Sequence, residues 1–230
     1  MDQHDQALLK ILHRDLWIFS LLMVLFTILT VFQHNLFWLT IITFLGSLYW
    51  AGKYFLRNNK ISFPHGPANV VTMIRFCMIT ATALLHTSLS AISLGMLFVV
   101  VCIGDIVDGR LARALNKTST IGEYLDKETD ALFVLFASII LYLHDFFGIW
   151  VIVLGLIRYV YFLIMYFFIQ PNQKEKKDPA ARVIAGVVFS GILSSFFIPV
   201  QISGPILMVS VILLIYSFGR SVFIETGMIQ

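Results

Sequence analysis

Four aspartates lie close together in the middle of a strongly apolar chain. Asp105 and Asp108 are three residues apart, and Asp126 and Asp130 are four apart, so each pair shares one face of a helix. Carboxylates at the edge of an apolar helix are costly and usually functional. Four of them repel one another unless cations neutralise them, and oxygen ligands suit hard ions such as Mg²⁺, Mn²⁺ or Ca²⁺. The spacing predicts a site for two divalent ions with positions left open for a pyrophosphate.

Two glycines and an arginine accompany these aspartates. Gly109 and Gly122 leave room for a ligand to approach the backbone, and Arg113 is suited to hold a phosphate. In the simpler interpretation, the acidic side chains only pair with nearby basic residues at a membrane edge. The combination of four carboxylates, two glycines and an arginine at this spacing favours a functional site over simple ion pairing.

The elements that must position this cluster are apolar helices. Hydrophobic residues make up 59% of the 230-residue chain and charged residues 13%, about half the charged share of a soluble domain. In lipid the backbone must satisfy its own hydrogen bonds, so apolar runs of this length are expected to be helices. The pattern predicts an all-α integral membrane protein with about eight transmembrane helices. The runs are residues 16–32, 36–54, 70–85, 90–106, 121–143, 149–169, 183–200 and 205–224.

Basic residues lie almost entirely on one side of these runs. With a cytoplasmic N-terminus, fourteen of the sixteen Lys and Arg residues fall in cytoplasmic segments, and the other two, Arg75 and Arg158, lie inside apolar runs. This asymmetry follows the positive-inside rule. We expect both termini and the aspartates to be cytoplasmic, in the inner membrane if the source is bacterial. The loops on the other side are then 33–35, 86–89, 144–148 and 201–204.

A short basic segment with two prolines and a glycine, residues 57–67, divides the chain. We expect a tail with two accessory transmembrane helices in residues 1–57 and a six-helix catalytic domain in residues 58–230. The polar, acidic stretch from Met1 to Asp15 does not match a signal peptide. Cys77 and Cys102 lie in apolar runs and are interpreted as buried thiols.

The segment from Asp105 to Asp130 resembles the signature of the CDP-alcohol phosphotransferase (CDP-alcohol phosphatidyltransferase) family. That signature reads D, two residues, DG, two residues, AR, eight residues, G, three residues, D, three residues, D, and every fixed position matches. Residues 67–75 also resemble the family's stretch before its first core helix. The resemblance covers residues 64–224, which hold six of the apolar runs, so the two leading runs lie outside the usual core.

The resemblance implies a membrane enzyme of phospholipid biosynthesis. It would transfer a phosphatidyl-type group from a CDP-linked lipid, with CDP-diacylglycerol as the expected donor, to an alcohol and release CMP. By the family pattern Asp105, Asp108 and Asp126 are ligands of two Mg²⁺ or Mn²⁺ ions. Asp130 is a metal ligand and also the proton acceptor from the alcohol. The resemblance further implies a homodimer in the lipid bilayer and no nucleic-acid partner.

Contacts to the CDP-lipid can be carried over by position. Asn69 suits either a ligand contact or a helix N-cap, and Ser119 suits either a contact or a solvated loop. The positions are Pro67, Ala68, Asn69, Val70, Thr72, Gly109, Arg113, Ser119 and Gly122.

Two further arginines are candidates for binding the acceptor. Arg158 lies near the middle of the run 149–169 and needs a partner there. It either anchors an anionic acceptor or a phosphate, or forms a structural pair with an acidic residue of the central segment. Arg182 begins the next run and could face the site. Both favour an anionic acceptor with CDP-diacylglycerol as donor.

Three alternatives stay open on the sequence. A prenyltransferase of the UbiA type also binds pyrophosphate through aspartates and Mg²⁺, but it needs two well-separated Asp-rich motifs. A cation transporter or channel would use the aspartates without needing the glycines and Arg113. A family member without catalysis is the third, and the complete signature does not favour it.

Overall fold

The computed structural model describes residues 3–57, 67–114, 120–169 and 179–225, with side chains in 15–49, 70–107, 109–110, 125–167 and 180–222. Helices account for almost all of these residues and strands for none, which confirms the all-α prediction for this part of the chain. A 3₁₀ turn, Ile149–Ile152, leads into the sixth helix, and a π-helical turn, Met165–Ile169, continues it. The helices are α1 (Gln3–Gln33), α2 (Phe37–Arg57), α3 (Pro67–Leu85), α4 (Ala91–Ala114), α5 (Thr120–Leu143), α6 (Val153–Ile164), α7 (Pro179–Ser194) and α8 (Val200–Glu225).

Helix α5 is the centre of the fold. Every residue from 131 to 141 is buried, and α5 packs against α3, α6 and α7. Phe133 meets Phe98 of α4 edge-on at 5.2 Å between ring centroids and stacks on Phe189 of α7 at 4.7 Å. A helix apolar on all sides belongs in such a core. Its polar N-terminal part, which carries Asp126 and Asp130, is therefore held by packing further along the same helix.

The two leading helices pack on the others rather than standing apart. Helix α1 lies against α6 and α2, and α2 also touches α3. Trp17 stacks on Tyr166 at 4.9 Å, and Phe19 meets Tyr159 at 6.4 Å in an edge-on arrangement. Aromatic pairs of this kind add to the stability gained from buried area. Helix α1 thus covers one side of α6.

Apolar side chains cover the outer faces of the helices. Ile92, Ile106 and Ile212 are each more than half exposed, an arrangement that suits contact with lipid better than contact with water. Among the described residues, three segments are long and apolar enough to cross a membrane, and four further apolar helices are shorter. The count of eight spans therefore stays a prediction. The three segments are Asp15–Gln33, Ile149–Phe167 and Val200–Val222.

One predicted loop lies in the wrong place. The sequence pattern put a turn at 201–204, but α7 ends at Ser194 and α8 begins at Val200. The turn is closed by the backbone N–H of Phe197, which donates to the Ser194 carbonyl at 3.0 Å. Because Phe196 and Phe197 make the turn as apolar as the helices beside it, hydrophobicity alone does not locate it.

The two cysteines differ in their environment. Both are free thiols, and Cys102 is half-buried, but Cys77 is exposed on α3. The interpretation of Cys77 as buried was wrong. An apolar run in a membrane helix has apolar residues on its outer face as well as its inner face, so apolar neighbours do not indicate burial.

Gly155 allows a close crossing of α6 over α5. A Cβ added there would lie 2.3 Å from the Leu135 Cα, and a backbone atom has no rotamer by which to move aside. We expect Gly155→Ala to destabilise the protein by roughly 1–3 kcal/mol through overpacking. Gly186→Ala is the matched control, because its added Cβ meets nothing within 4 Å. Thermal unfolding in detergent measures both, and equal unfolding temperatures would contradict the expectation.

A histidine pair joins the ends of α3 and α5 that face away from the aspartates. His86 Nδ1 lies 3.4 Å from His144 Nε2. Burial, reinforced by the neighbouring His144, lowers the pKa of His86 below its ordinary value of 6.5. The unfolded chain therefore binds more protons than the folded chain once the pH falls below 6.5. The stability that depends on neutral His86 is complete above that pH, and it is lost as the pH falls through the lower pKa of the folded state.

We expect the unfolding temperature to fall between about pH 7.5 and about pH 5.5, because protonation of His86 is unfavourable in the folded protein. His86→Gln should make this fall smaller, since glutamine does not titrate. Thermal unfolding of both proteins in the same detergent at both pH values is the measurement. A fall of the same size in both proteins would show that another group is responsible.

Candidate active site

Three helices bring one arginine and three aspartates together. Arg75 of α3 places Nη1 3.0 Å from Oδ1 of Asp105 on α4 and 3.0 Å from Oδ1 of Asp126 on α5. Its Nη2 lies 2.5 Å from Oδ1 of Asp130, also on α5. We call Asp105, Asp126 and Asp130 the Asp cluster. Arg75 donates charge-assisted hydrogen bonds, the strong class of hydrogen bond, to Asp126 and Asp130, and it forms an ion pair with Asp105. A single guanidinium thus ties α3, α4 and α5 to one another.

Arg75 is buried, whereas the three carboxylates of the Asp cluster are partly exposed. The Arg75 side chain is 1% exposed, whereas those of the Asp cluster are 32% to 41% exposed. A buried cation is stable only when paired, and here three carboxylates pair with it. The carboxylates remain accessible from their outer side, where a ligand can reach them.

Local sequence explains how the group forms. Asp126 and Asp130 are one helical turn apart, so both point to the same side of α5. On α4, Gly104 precedes Asp105 and makes room for the arginine. A Cβ added at Gly104 would lie 2.8 Å from Cγ and 3.0 Å from Cδ of Arg75. The absence of a side chain at this position lets the Arg75 stem pass against α4 and reach the carboxylates.

The Asp cluster has the donors and the spacing for a metal ion. One carboxylate oxygen from each residue lies within 4.8 Å of the others. Oxygen-only donors of this charge fit Mg²⁺ or Mn²⁺. The fourth predicted ligand, Asp108, lies on the next turn of α4, and its side chain is outside the described residues. The structure thus brings three of the four predicted ligands together, and their role toward metal stays a prediction.

The predicted nucleotide contacts before the cluster lie on a helix. Pro67 starts α3, a position that proline favours, and Ala68 and Asn69 complete its first turn. Asn69 is thus not the residue that precedes the helix, and this argues against the N-cap alternative. Val70 is exposed and Thr72 is buried. The segment that was expected to precede the first core helix is instead its beginning.

The remaining predicted contacts flank the cluster. Gly109 is half-buried on α4, one turn beyond Asp105. Arg113 lies near the end of α4 and Gly122 in the first turn of α5, with their surroundings outside the description. Ser119 lies outside the described residues altogether. The first half of the signature is therefore helical throughout.

Arg158 has a partner other than the Asp cluster. Its Nη2 lies 3.7 Å from Oε2 of Glu128, and its Cζ lies 5.1 Å from the ring centroid of Phe162. Glu128 is two residues from each α5 member of the Asp cluster, which places it about 200° around the helix from both. Of the two hypotheses for Arg158, this contact matches the structural pair. Arg182 lies exposed in the first turn of α7.

Arg75 is the residue whose role was missed from the sequence. The sequence showed it as a basic residue inside an apolar run and as the last residue of the stretch 67–75 that resembles the family, but gave it no role at the site. The same signal that singled out Arg158, a cation that needs a partner in lipid, applies equally to Arg75. What the signal lacks is the identity of the partner, because Asp126 and Asp130 lie more than fifty residues further along the chain.

Comparison with known proteins identifies a family. A model of the family described as CDP-alcohol phosphatidyltransferase matches residues 66–218. A comparison of the chain with curated proteins finds no match. The family match covers more than half of the chain, includes Arg75 and the Asp cluster, and leaves α1 and α2 outside. The chain belongs to the CDP-alcohol phosphatidyltransferase family.

Proposed function

We propose that this membrane protein transfers a phosphatidyl group from a CDP-linked lipid to an alcohol, releases CMP and serves phospholipid biosynthesis. CDP-diacylglycerol is the donor in this proposal. The observation that carries it is the convergence of Asp105, Asp126 and Asp130 from two helices within 4.8 Å in a chain of this family. A UbiA-type prenyltransferase would belong to another family, and no observation favours a transporter.

Two divalent ions, Mg²⁺ or Mn²⁺, are the proposed cofactors. Members of this family use divalent metals, and Asp108 would join the Asp cluster to hold them. When bound, such ions supply positive charge to the transferring and leaving phosphates. The chain itself contributes carboxylate oxygens on two helices that Arg75 ties together.

Asp130 is proposed to accept the proton of the acceptor hydroxyl. A neutral alcohol is a weak nucleophile, so a carboxylate that takes its proton during attack lowers the barrier. The acceptor oxygen forms a bond to the phosphorus that carries the lipid. The bond from that phosphorus to the bridging oxygen breaks, and CMP leaves with the electron pair. Arg75 holds Asp130 through Nη2 and so fixes where the proton is accepted.

The remaining predicted residues keep their proposed roles around this centre. Arg182, exposed at the start of α7, is our proposed anchor for an anionic acceptor. An acceptor role of Arg158 stays a prediction beside its pairing with Glu128. The proposed contacts to the CDP-lipid are Pro67, Ala68, Asn69, Val70, Thr72, Gly109, Arg113, Ser119 and Gly122.

The proposed membrane arrangement follows the charge pattern. Eight helices cross the bilayer, with both termini and the Asp cluster on the cytoplasmic side. Residues 1–57 form the accessory part and residues 58–230 the catalytic domain, which acts as a homodimer. The outward apolar faces of α3, α4 and α8 support contact with lipid.

Asp130→Asn should slow the reaction sharply, because an amide accepts no proton from the alcohol. The loss expected from removing a general base is about 10²- to 10⁴-fold. The assay uses purified protein, CDP-diacylglycerol, Mg²⁺ or Mn²⁺ and a panel of labelled alcohols, and it measures CMP release and lipid product.

Asp145→Asn is the matched control. Asp145 lies exposed in the loop after α5 with a φ of 56°, a conformation that asparagine tolerates. This variant should keep full activity. The proposal fails if Asp130→Asn stays fully active, or if no alcohol gives metal-dependent CMP release.

Arg182→Gln should raise the KM for an anionic acceptor and leave the unfolding temperature unchanged, since the side chain is exposed. Arg158→Gln should instead lower the unfolding temperature, because it leaves Glu128 without its counter-charge. Steady-state kinetics and thermal unfolding of both variants test this division. Arg220→Gln, at an exposed position on α8, controls for the lost charge. A raised acceptor KM in Arg158→Gln with unchanged stability would assign the acceptor role to Arg158.

A further inference from the structure

Arg75 is itself a cation among the carboxylates proposed to hold metal. One guanidinium contacts all three members of the Asp cluster, and in each case the contacted atom is an Oδ1 oxygen. Two of these oxygens share Nη1, and the third meets the neighbouring Nη2. The negative charge that would attract a divalent ion is thus already partly neutralised by the chain.

We propose that Arg75 is an internal counter-cation that competes with divalent ions for the Asp cluster and thereby sets how tightly the site binds metal. This inference rests on the proposed function, because it takes the Asp cluster as the metal site. An ion that used the Oδ1 oxygens would have to share them with the guanidinium or displace it. An ion that used the other oxygens would lie beside it, and two cations at such a distance repel each other.

Burial makes this competition strong. The Arg75 side chain is 1% exposed, so water and salt screen its charge much less than they screen a surface arginine. The coupling is also reciprocal. If Arg75 weakens the binding of the ion by some free energy, the bound ion weakens the contacts of Arg75 by the same free energy. Without metal, Arg75 keeps three carboxylates from repelling one another, so the same side chain stabilises the metal-free fold and weakens metal binding.

The lack of a side chain at Gly104 allows Arg75 to reach the Asp cluster, where it competes with metal. The stem of Arg75 passes so close to α4 that a Cβ at Gly104 would lie 2.8 Å from its Cγ. A side chain at residue 104 must therefore push the stem away and loosen the contacts of the guanidinium with the Asp cluster. The chain thus offers two independent ways to weaken the competition, one that removes the cation and one that displaces it.

Mn²⁺ binding to the purified, chelator-treated full-length protein in detergent tests the proposal, with free Mn²⁺ measured by electron paramagnetic resonance. Arg75→Gln should bind Mn²⁺ more tightly, on the order of tenfold, because a repelling charge is gone. Its unfolding temperature without metal should fall, and the rise on adding Mn²⁺ should be larger than in the wild type. Arg75→Lys keeps the charge and should stay near the wild-type affinity. Arg220→Gln, which removes an exposed charge on α8, should not change it.

Gly104→Ala keeps the test decisive if Arg75→Gln does not fold. It should tighten Mn²⁺ binding by a smaller factor, with Gly186→Ala as the control that meets no neighbour. Unchanged or weaker Mn²⁺ binding in the variant that folds overturns the proposal, because Arg75 would then only position the carboxylates. A wild type whose Mn²⁺ binding does not depend on Asp126, as judged by Asp126→Asn, overturns the metal site and the proposed function as well.

Discussion

The contact of Arg75 with Asp105, Asp126 and Asp130 is the constraint on which the site depends. Three carboxylates this close repel one another unless a positive charge lies among them, and a buried guanidinium is stable only when carboxylates pair with it. Arg75 supplies the positive charge and the aspartates supply the negative charge, with nitrogen–oxygen distances of 2.5 to 3.0 Å. Because the four residues come from α3, α4 and α5, meeting this electrostatic need also fixes how three helices meet.

Close helix packing makes that contact possible. Gly104 lets the stem of Arg75 pass against α4, and Gly155 lets α6 approach the backbone of α5 at Leu135. Small residues at helix crossings are the usual means of close approach in membrane proteins, where lipid offers no hydrophobic drive between helices. The buried part of α5, residues 131–141, then acts as a rigid base. This packing also fixes the positions of the aspartates at the other end of α5. Fixed positions suit the proposed reaction, which depends on the placement of a hydroxyl and a phosphate.

Sequence reasoning went furthest where the chain carries local patterns. Helical structure followed from apolar runs, and the pairing of Asp126 with Asp130 followed from their spacing of one turn. Sequence reasoning failed where the local pattern does not distinguish a turn from a helix or an outer face from an inner face. The apolar turn around Phe196 and Phe197 hid the start of α8, and exposed Cys77 looked like a core residue, because lipid accepts apolar groups on the outer face of a helix. Arg75 carried a signal, a cation within an apolar run, but its partners lie too far along the chain for spacing to identify them.

The sequence by itself determined the chemistry that this protein can support. Residue types and spacing from Asp105 to Asp130 are local properties of the chain, and they carry the family signature. Only the tertiary structure decided that Arg75 contacts these carboxylates and that Arg158 pairs with Glu128. The physical reason is distance along the chain: a helix fixes the positions of residues three or four apart, whereas contacts between helices depend on the packing of the whole bundle. That packing brings Arg75 to Asp130 across fifty-five residues of sequence.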